Sequence, residues 1–305
     1  MSTALDIPQF LPTQFGTAWQ HLNQQKLTRM RGTVDVDSDI VGERKSYNQF
    51  GIIDDEEITT RFGDTVDMGR QDFKRWISLK PYHRTDWYEE FDEQLLGNIA
   101  LPKSETLESH RMAFGRRVDK VVIAALTDPA TTGEDGTETT ALPASQIVAV
   151  NYTGGTPANT NLTLAKLIKA KSILGKNEVT GFDAEDQKEI IFVYTQDQLD
   201  NLLENVDEIK NSDYTQVKAL VAGEVKSFMG MRFIRTELLD ITSDIRSCFA
   251  YVKSAIKLGV GQEMTTRMSI RNDKSDALQI RSKWRIGATR MLEAEVVKVL
   301  CDETA

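Results

Sequence analysis

"CFAYVKSAIKLGVGQEMTTRMSIRNDKSDALQIRSKWRIGATRMLEAEVVKVL", Cys248 to Leu300, reads as sheet over most of its length. Met264, Thr266, Met268 and Ile270 alternate with polar residues, "RNDKSDA" (271–277) turns the chain, and Leu278, Ile280, Ser282, Trp284 and Ile286 alternate back. Period-two patterning on both sides of a polar turn predicts a β-hairpin with one face on a core. The apolar run in "GATRMLEAEVVKVL" (287–300) predicts a closing strand. Because strand side chains alternate, Arg281, Lys283 and Arg285 fall together on the opposite face of the return strand. Such a row is either a solvated, ion-paired sheet face or a contact for an acidic neighbouring chain or for nucleic acid.

Upstream, "PKSETLESHRMAFGRRVDKVVIAALTDPA" (102–130) predicts a helix over 104–127. Ser104 suits an N-cap, Glu105 and Glu108 suit the positive end of the helix dipole, and Pro129 enforces a stop. Leu107, Phe114, Val118, Val121 and Ala125 form its apolar stripe, and Arg111, Arg116, Arg117 and Lys120 lie off it. At 1.5 Å per residue this is a rod of roughly 35 Å, packed on one side and charged on the other.

Between rod and hairpin the pattern alternates strand and helix. "TTGEDGTETTALPAS" (131–145) and "NYTGGTPANTN" (151–161) are loops by composition, and "QIVAV" between them is a short strand. "LTLAKLIKAKSIL" (162–174) is an amphipathic helix, "EIIFVYT" (189–195) a buried strand, and "QDQLDNLLENV" (196–206) a second helix. Near the N-terminus, Phe15, Trp19, Leu22 and Lys26 recur at helical spacing and predict a short helix with a narrow apolar stripe. From Gly32 to about Tyr88 the pattern is strand-like, with Val34 and Val36 alternating against Asp35 and Asp37, and an acidic tip, "GIIDDEEITTRFGD" (51–64). This segment has too few large apolar residues for a core of its own, so it needs another surface to cover it.

The 305 residues suit one elaborate domain or two subdomains sharing a core. A formal net charge of −9 argues against tight, sequence-independent nucleic-acid binding, which draws on Lys and Arg. Cys248 and Cys301 lie far apart without metal-like spacing and read as free thiols in a reducing compartment. The sequence shows no basic region followed by an apolar segment at its start and no long apolar run, which points to cytosol-like conditions.

Motifs that would carry chemistry fail on their demanding positions. Asp35, Asp37 and Asp39 suggest a calcium loop, but Ile40 stands where that loop needs Gly and Ser46 where it needs Glu, so they read as solvated strand carboxylates. Gly175-Lys176 lacks the remainder of a phosphate loop and reads as a helix C-cap with a basic residue after it. His21, His83 and His110 fall in three separate elements, giving no metal cluster and reading as surface or interface residues. No nucleophile elbow, zinc-protease helix or dinucleotide fingerprint occurs. No catalytic, cofactor-binding or metal-binding residue is expected.

The order of elements resembles the major capsid proteins of tailed bacteriophages, whose fold is shared with herpesvirus shells. The likeness runs from about Phe15 to the end. It is carried by "RMAFGRRVDKVVIAALTDP" (111–129), similar to the spine helix; by "VKALVAGEVKSFMGMRFIRTELL" (217–239), similar to the end of the axial domain; and by the opening segment, similar to the closing strands of the peripheral domain. The resemblance implies an α+β fold. Its parts are an N-terminal arm (1–30), an extended β-hairpin loop (31–90), a peripheral domain (91–140) containing the spine helix 104–127, an axial α/β domain (141–245) and peripheral return strands (246–305).

In function it implies a structural protein, not an enzyme, that assembles through hexamers and pentamers into an icosahedral shell enclosing double-stranded DNA. The expected partners are other copies of the chain, a separate scaffolding protein, since only about thirty residues precede the loop, a portal protein, and packaged DNA contacted weakly; no membrane is involved. The expected location is the virion capsid, assembled in the host bacterial cytoplasm. Neither residue of the lysine–asparagine crosslink of some relatives matches here. Two other readings are a shell protein of a cellular nanocompartment or gene-transfer particle, which keeps the fold, and a cytosolic α/β enzyme.

Overall fold

The computed structural model describes residues 21–38, 40–53, 55, 57, 61, 69–89, 103–179, 188–205 and 227–304. Among these it contains three α-helices and fifteen strands in three sheets. The helices are α1 (Lys103–Thr127), α2 (Leu164–Lys176) and α3 (Gln196–Asn205). The strands are β1 (Asp35–Asp37), β2 (Arg44–Gln49), β3 (Phe73–Ser78), β4 (Lys80–Tyr88), β5 (Ala130–Thr132), β6 (Glu138–Thr140), β7 (Ile147–Val148), β8 (Ile190–Tyr194), β9 (Ser227–Phe228), β10 (Met231–Arg235), β11 (Ile241–Thr242), β12 (Ile245–Val252), β13 (Ile256–Arg271), β14 (Ala277–Arg290) and β15 (Val296–Asp302).

The hairpin expected from the opening segment is the centre of a four-stranded sheet ordered β1-β13-β14-β4. It is longer than the alternation suggested, because β13 and β14 stay paired from Arg271↔Ala277 back to Ile256↔Arg290, with irregularities between Val260 and Thr265. Ser275 and Asp276 take positive φ in the turn. The even-numbered face of β14 lies under α1, where the Phe114 and Trp284 rings meet edge to face at 5.5 Å.

Helix α1 includes Lys103, so Ser104 sits in its first turn and not at the cap, where its hydroxyl donates to Glu105. The helix ends at Thr127, two residues before Pro129. Its buried stripe is wider than expected: Met112, Val122, Ile123 and Leu126 join Val118 and Ala125, and Arg111, Arg117 and Lys120 are exposed. Its last carbonyls are satisfied from a distant strand. The fully buried Arg290 donates to the carbonyls of Leu126 and Asp128 at 3.1 Å each and to that of Thr140 at 3.0 Å. A cation at this end also complements the helix dipole.

The middle region folds around a seven-stranded sheet, β7-β15-β12-β8-β10-β9, with β11 on β12. Strand β8 (IIFVY) is buried at all five positions and continues into α3, and β10 lies parallel to it, the arrangement a strand–helix alternation predicts. Cys248 to Val252 of β12 are all 0% exposed, as a central strand covered on both faces requires. This sheet draws β12 and β15 from the C-terminal part of the chain, so the ranges 141–245 and 246–305 share it. Thr163 caps α2, and Asn177 closes it, placing Gly175 inside the last turn and not at the cap.

The third sheet, β2-β3-β5-β6, is the paired part of the segment expected to be an extended loop. Within 31–90, β1 and β4 join the hairpin sheet instead, and only β2 and β3 pair as an arm. The acidic tip falls mostly outside the described residues. The stretch 131–145 read as loop is a small β5–β6 hairpin attached to the arm through Arg75↔Thr132. Short polar strands between glycine turns carry no hydrophobic period, so composition gave no sign of it. At the base of the arm Ile40, Ile77 and Leu79, with Tyr47 against them, form a small cluster seated over Gly259 of β13. The chain leaves the arm directly over β14: a Cβ on Gly287 would stand 2.1 Å from the Ser78 carbonyl oxygen, so no other residue fits there.

Residues 21–30 are not helical, and Leu22 is 88% exposed. Phe15 and Trp19 lie outside the described residues. The reason is Asp119, fully buried on α1, which accepts the backbone N–H groups of Arg29 and Met30 at 3.0 and 3.1 Å and the side chains of Gln25 and Thr28. Those bonds spread the segment across the rod, taking up backbone donors that an α-helix would otherwise use internally.

Candidate interaction surfaces

Each residue tested for chemistry now has a place. Val36 is exposed and its flanking aspartates turn inward, the reverse of the expected alternation. Asp37 is not a solvated carboxylate: it accepts from Lys45 Nζ at 2.5 Å and from the Tyr47 hydroxyl. Burial, with the Asp37 carboxylate beside it, pushes the Tyr47 phenol up. Asp39 lies outside the described residues. Among the described residues no group of three or more His, Cys, Asp or Glu is placed to hold a metal ion.

His83 is exposed, and His21 stands 3.5 Å from Glu108. His110 is neither surface nor interface. It is 1% exposed, with Nε2 2.7 Å from Asp86 Oδ2 and Nδ1 2.7 Å from Ser282 Oγ, and Ser282 lies 2.7 Å from Thr266. This Asp–His–Ser line resembles a nucleophilic triad in composition, but Ser282 is 0% exposed beneath α1 and its hydroxyl is shared with Thr266, so no carbonyl can reach it. The line ties α1 to β4, β14 and β13. Sequence spacing could not reveal it, because its members are 24 and 172 residues apart.

Cys248 and Cys301, distant in sequence, come together on paired strands β12 and β15 as buried free thiols. A hydrogen bond with Cys301, together with burial, raises the Cys248 thiol well above its ordinary value, which makes it a poor nucleophile. Lys166 is buried too, donating to the carbonyls of Thr160 and Leu300, and burial lowers its pKa. A cleft of about 200 Å³ between the C-terminal half of α1, Trp76 of the arm and β14 is lined partly by Arg290, whose two terminal nitrogens donate to backbone carbonyls. Cys248, Cys301 and Lys166 line none of the described clefts.

What remains open is surface. The arm exposes Val41 (95%), Phe50 (75%), Ile52 (95%), Ile53 (68%) and Phe73 (51%), a concentration of large apolar side chains that a stable monomer avoids. On the hairpin sheet, Arg281 and Lys283 are exposed on the odd-numbered face of β14, and Arg285 is half-buried behind them. Strand register adds Arg267 directly opposite Arg281 and His83 opposite Lys283. The alternation located the return-strand cations, but Arg267 and His83 become their neighbours only once the register across the two bulges is known.

A family model described as phage capsid protein matches residues 7–303. The chain belongs to the phage capsid protein family. Solved structures agree in fold. The capsid structure of cyanophage P-SCSP1u superposes with a TM-score of 0.71 at 13% identity, covering 95% of this chain and 92% of that one. A structure from Mycobacterium phage Che8 gives 0.71 at 13% identity over 98% and 99% of the two chains. The capsid of cyanophage Pam1 gives 0.71 at 11% identity over 99% of both. Among curated proteins, none matches the sequence. A phage capsid protein is a structural protein and not an enzyme.

Proposed function

We propose that this phage capsid protein assembles with copies of itself, through hexamers and pentamers, into an icosahedral shell enclosing double-stranded DNA. The observation that carries the reading is the arm: a two-stranded extension in which β2 buries none of its residues and Phe50, Ile52 and Ile53 are exposed offers apolar surface for another subunit to cover. Assembled neighbours of the same fold over nearly the whole length support it. A division into N-terminal arm (1–30), extended loop (31–90), peripheral domain (91–140 and 246–305) and axial domain (141–245) belongs to this proposal, with α1 as the spine helix, β1 and β4 lending the loop range to the hairpin sheet, and β12 and β15 completing the axial sheet. So do a separate scaffolding protein, a portal protein and assembly in the bacterial cytoplasm.

The net charge of −9 supports weak, non-specific contact with the packaged DNA. Electron microscopy and light scattering on the chain alone and with a scaffolding candidate test the reading. Regular shells or capsomer-sized rings are expected, and a monodisperse monomer in both samples overturns it. Nanomolar binding of free duplex DNA at physiological salt overturns the weak-contact part alone. Shells that hold an enzyme cargo and no DNA would reassign the same fold to a compartment.

A further inference from the structure

The middle of α1 gathers positive charge where a surface helix would ordinarily balance it. Arg116 and Lys120 stand four residues apart and Arg117 and Lys120 three, so like charges meet on neighbouring turns and repel. The carboxylates lie elsewhere: Glu105 and Glu108 near the start of the helix, Asp128 just past its end, and Asp119 buried. Both flanks add cations. Asp119 draws the segment 21–30 across the helix by accepting from the backbone of Arg29 and Met30, which brings exposed Lys26 and Arg29 alongside. On the other flank, exposed Lys80 of β4 shares the cleft wall with Tyr82, Val121 and Ala124. The arginines are held by neutral partners. Arg116 donates to the Gln24 amide oxygen, Arg29 donates to the Arg235 carbonyl at 2.6 Å, and the Arg117 guanidinium lies over the Tyr82 ring at 4.8 Å. Each guanidinium is fixed in place with its charge uncancelled, and among the described residues none of the six cations makes an ion pair. By contrast, nearby Arg31 is paired with Glu263 and Arg84 with Asp86. Positioned, uncancelled cations are preorganised for an anion.

We propose that this face binds the phosphate backbone of duplex DNA through Lys26, Arg29, Lys80, Arg116, Arg117 and Lys120. The proposal rests on the shell reading above, which supplies the enclosed DNA, and it names the surface that meets it. Two arguments choose this occupant. The first is extent. The cations lie along and on both flanks of a helix about 10–12 Å across, so a small anion reaches two or three of them and only a polyanion engages the set. The second is chemistry. The centre of a protein–protein interface is depleted of charge and rich in large apolar side chains, whereas a nucleic-acid interface is polar and strongly positive, its phosphates held by arginine, lysine and amide side chains. The exposed apolar residues here, Leu22 and Leu27, stand singly in the segment 21–30. A net charge of −9 over the whole chain keeps the contact local and weak, because the remaining surface repels phosphate. The hairpin-sheet cluster Arg267, Arg281 and Lys283 has no such neutral partners holding its side chains and provides the control.

A labelled duplex of about 30 base pairs, titrated into the unassembled full-length chain, tests the site. Binding is expected at about 10⁻⁶ M or weaker in dilute salt, and its logarithm should fall against the logarithm of salt with a slope of about −0.9 per phosphate engaged. Arg116→Gln/Arg117→Gln/Lys120→Gln keeps helix propensity and should reduce that slope by about three, whatever the duplex sequence. Lys26→Gln/Lys120→Gln, whose side chains bond to nothing among the described residues, should reduce it by about two; this pair serves if thermal unfolding shows that the triple variant does not fold. Arg281→Gln/Lys283→Gln on the hairpin sheet should leave it unchanged. No binding by the wild type, an unchanged slope in the α1 variants, or a loss in the hairpin variant instead overturns the proposal. So does displacement of the duplex by poly-glutamate at equal charge concentration, which would assign the face to an acidic protein. In shells, Lys26, Lys80 and Lys120 should react with an amine reagent more slowly when DNA is inside than after it is emptied, and equal reaction overturns the site. A chain that binds duplex with the expected slope yet never assembles overturns the shell reading instead.

Discussion

The seven-stranded sheet and the β2–β3 arm are built from strands of similar length, yet they solve opposite problems. In the sheet, β12 buries Cys248 to Val252 completely, β8 buries all five of its residues, and Phe192, Tyr194 and Phe233 pack ring against ring at 5.2–6.4 Å. In the arm, β2 buries none of its six residues, and among the described residues the nearest apolar cluster, Ile40, Ile77 and Leu79, sits at its base over Gly259 of β13. Burial of apolar surface is the main favourable term in folding, so the first region carries its own stabilisation within one chain and the second carries far less. The difference teaches where this fold stores its dependence on neighbours: in a segment whose register is specified but whose stability is left to a partner.

The largest effect that would break this contrast lies in the sheet. Phe249→Ala, at a site with 0% exposure, is expected to cost about 3–5 kcal/mol in urea unfolding of the unassembled subunit. A loss below 1 kcal/mol would mean that the sheet is not the stabilising core. Next is the joint between regions. Arg290→Met keeps the volume of a long side chain but leaves the carbonyls of Leu126, Asp128 and Thr140 without their donor, and about 3 kcal/mol should be lost. Burial lowers the pKa of Arg290, so its charge is held at some cost, and a neutral outcome would show that desolvation cancels the bonds.

A smaller effect sharpens the arm's side of the comparison. Asp37→Asn removes the charge that holds Lys45 and weakens the acceptor for Tyr47, and about 1 kcal/mol of local stability should go. Hydrogen exchange reads this directly: amides of Tyr47 and Asn48 should exchange faster in the variant, with those of Phe249 and Ala250 unchanged, because opening of the arm is local. Equal acceleration in both regions would show that arm and sheet unfold as one unit.

How much was legible in the sequence follows from the range of the interactions involved. The hairpin, α1, α2, β8 and α3 could be read because each repeats a hydrophobic period over many residues. The segment 21–30 could not, since one buried carboxylate from α1, Asp119, overrides the weak helical spacing of Leu22 and Lys26. The buried place of His110 was hidden for the same reason: its partners Asp86 and Ser282 meet it only after β4, β14 and α1 are stacked. The cation face was half legible. Alternation gave Arg281 and Lys283, but the opposed Arg267, which turns a charged row into an unbalanced cluster, depends on a register that passes through two irregularities in β13.

The smallest expected effect concerns pH and separates the regions by chemistry. At the end of the sheet, Arg246 donates to Glu303 through two nitrogens at 2.7 and 3.1 Å, and Gln198 adds a third bond at 3.0 Å. Burial pushes the Glu303 carboxyl up, but these donors outweigh it and hold the group below its usual value. A carboxyl with a lowered folded-state pKa binds its proton more weakly than in the unfolded chain. Its contribution is therefore fully present above the ordinary value of 4.5 and is lost as pH falls through the folded-state value. Glu303→Gln should cost about 1 kcal/mol at pH 7 and progressively less as pH is lowered below the ordinary carboxyl value, measured as the difference in urea midpoints at pH 7 and at acid pH. The arm, where Asp37 holds Lys45 and Tyr47 outside this network, should keep its exchange rates in the variant at pH 7. An equal loss at both pH values would show that Glu303 acts through packing and not through its charge.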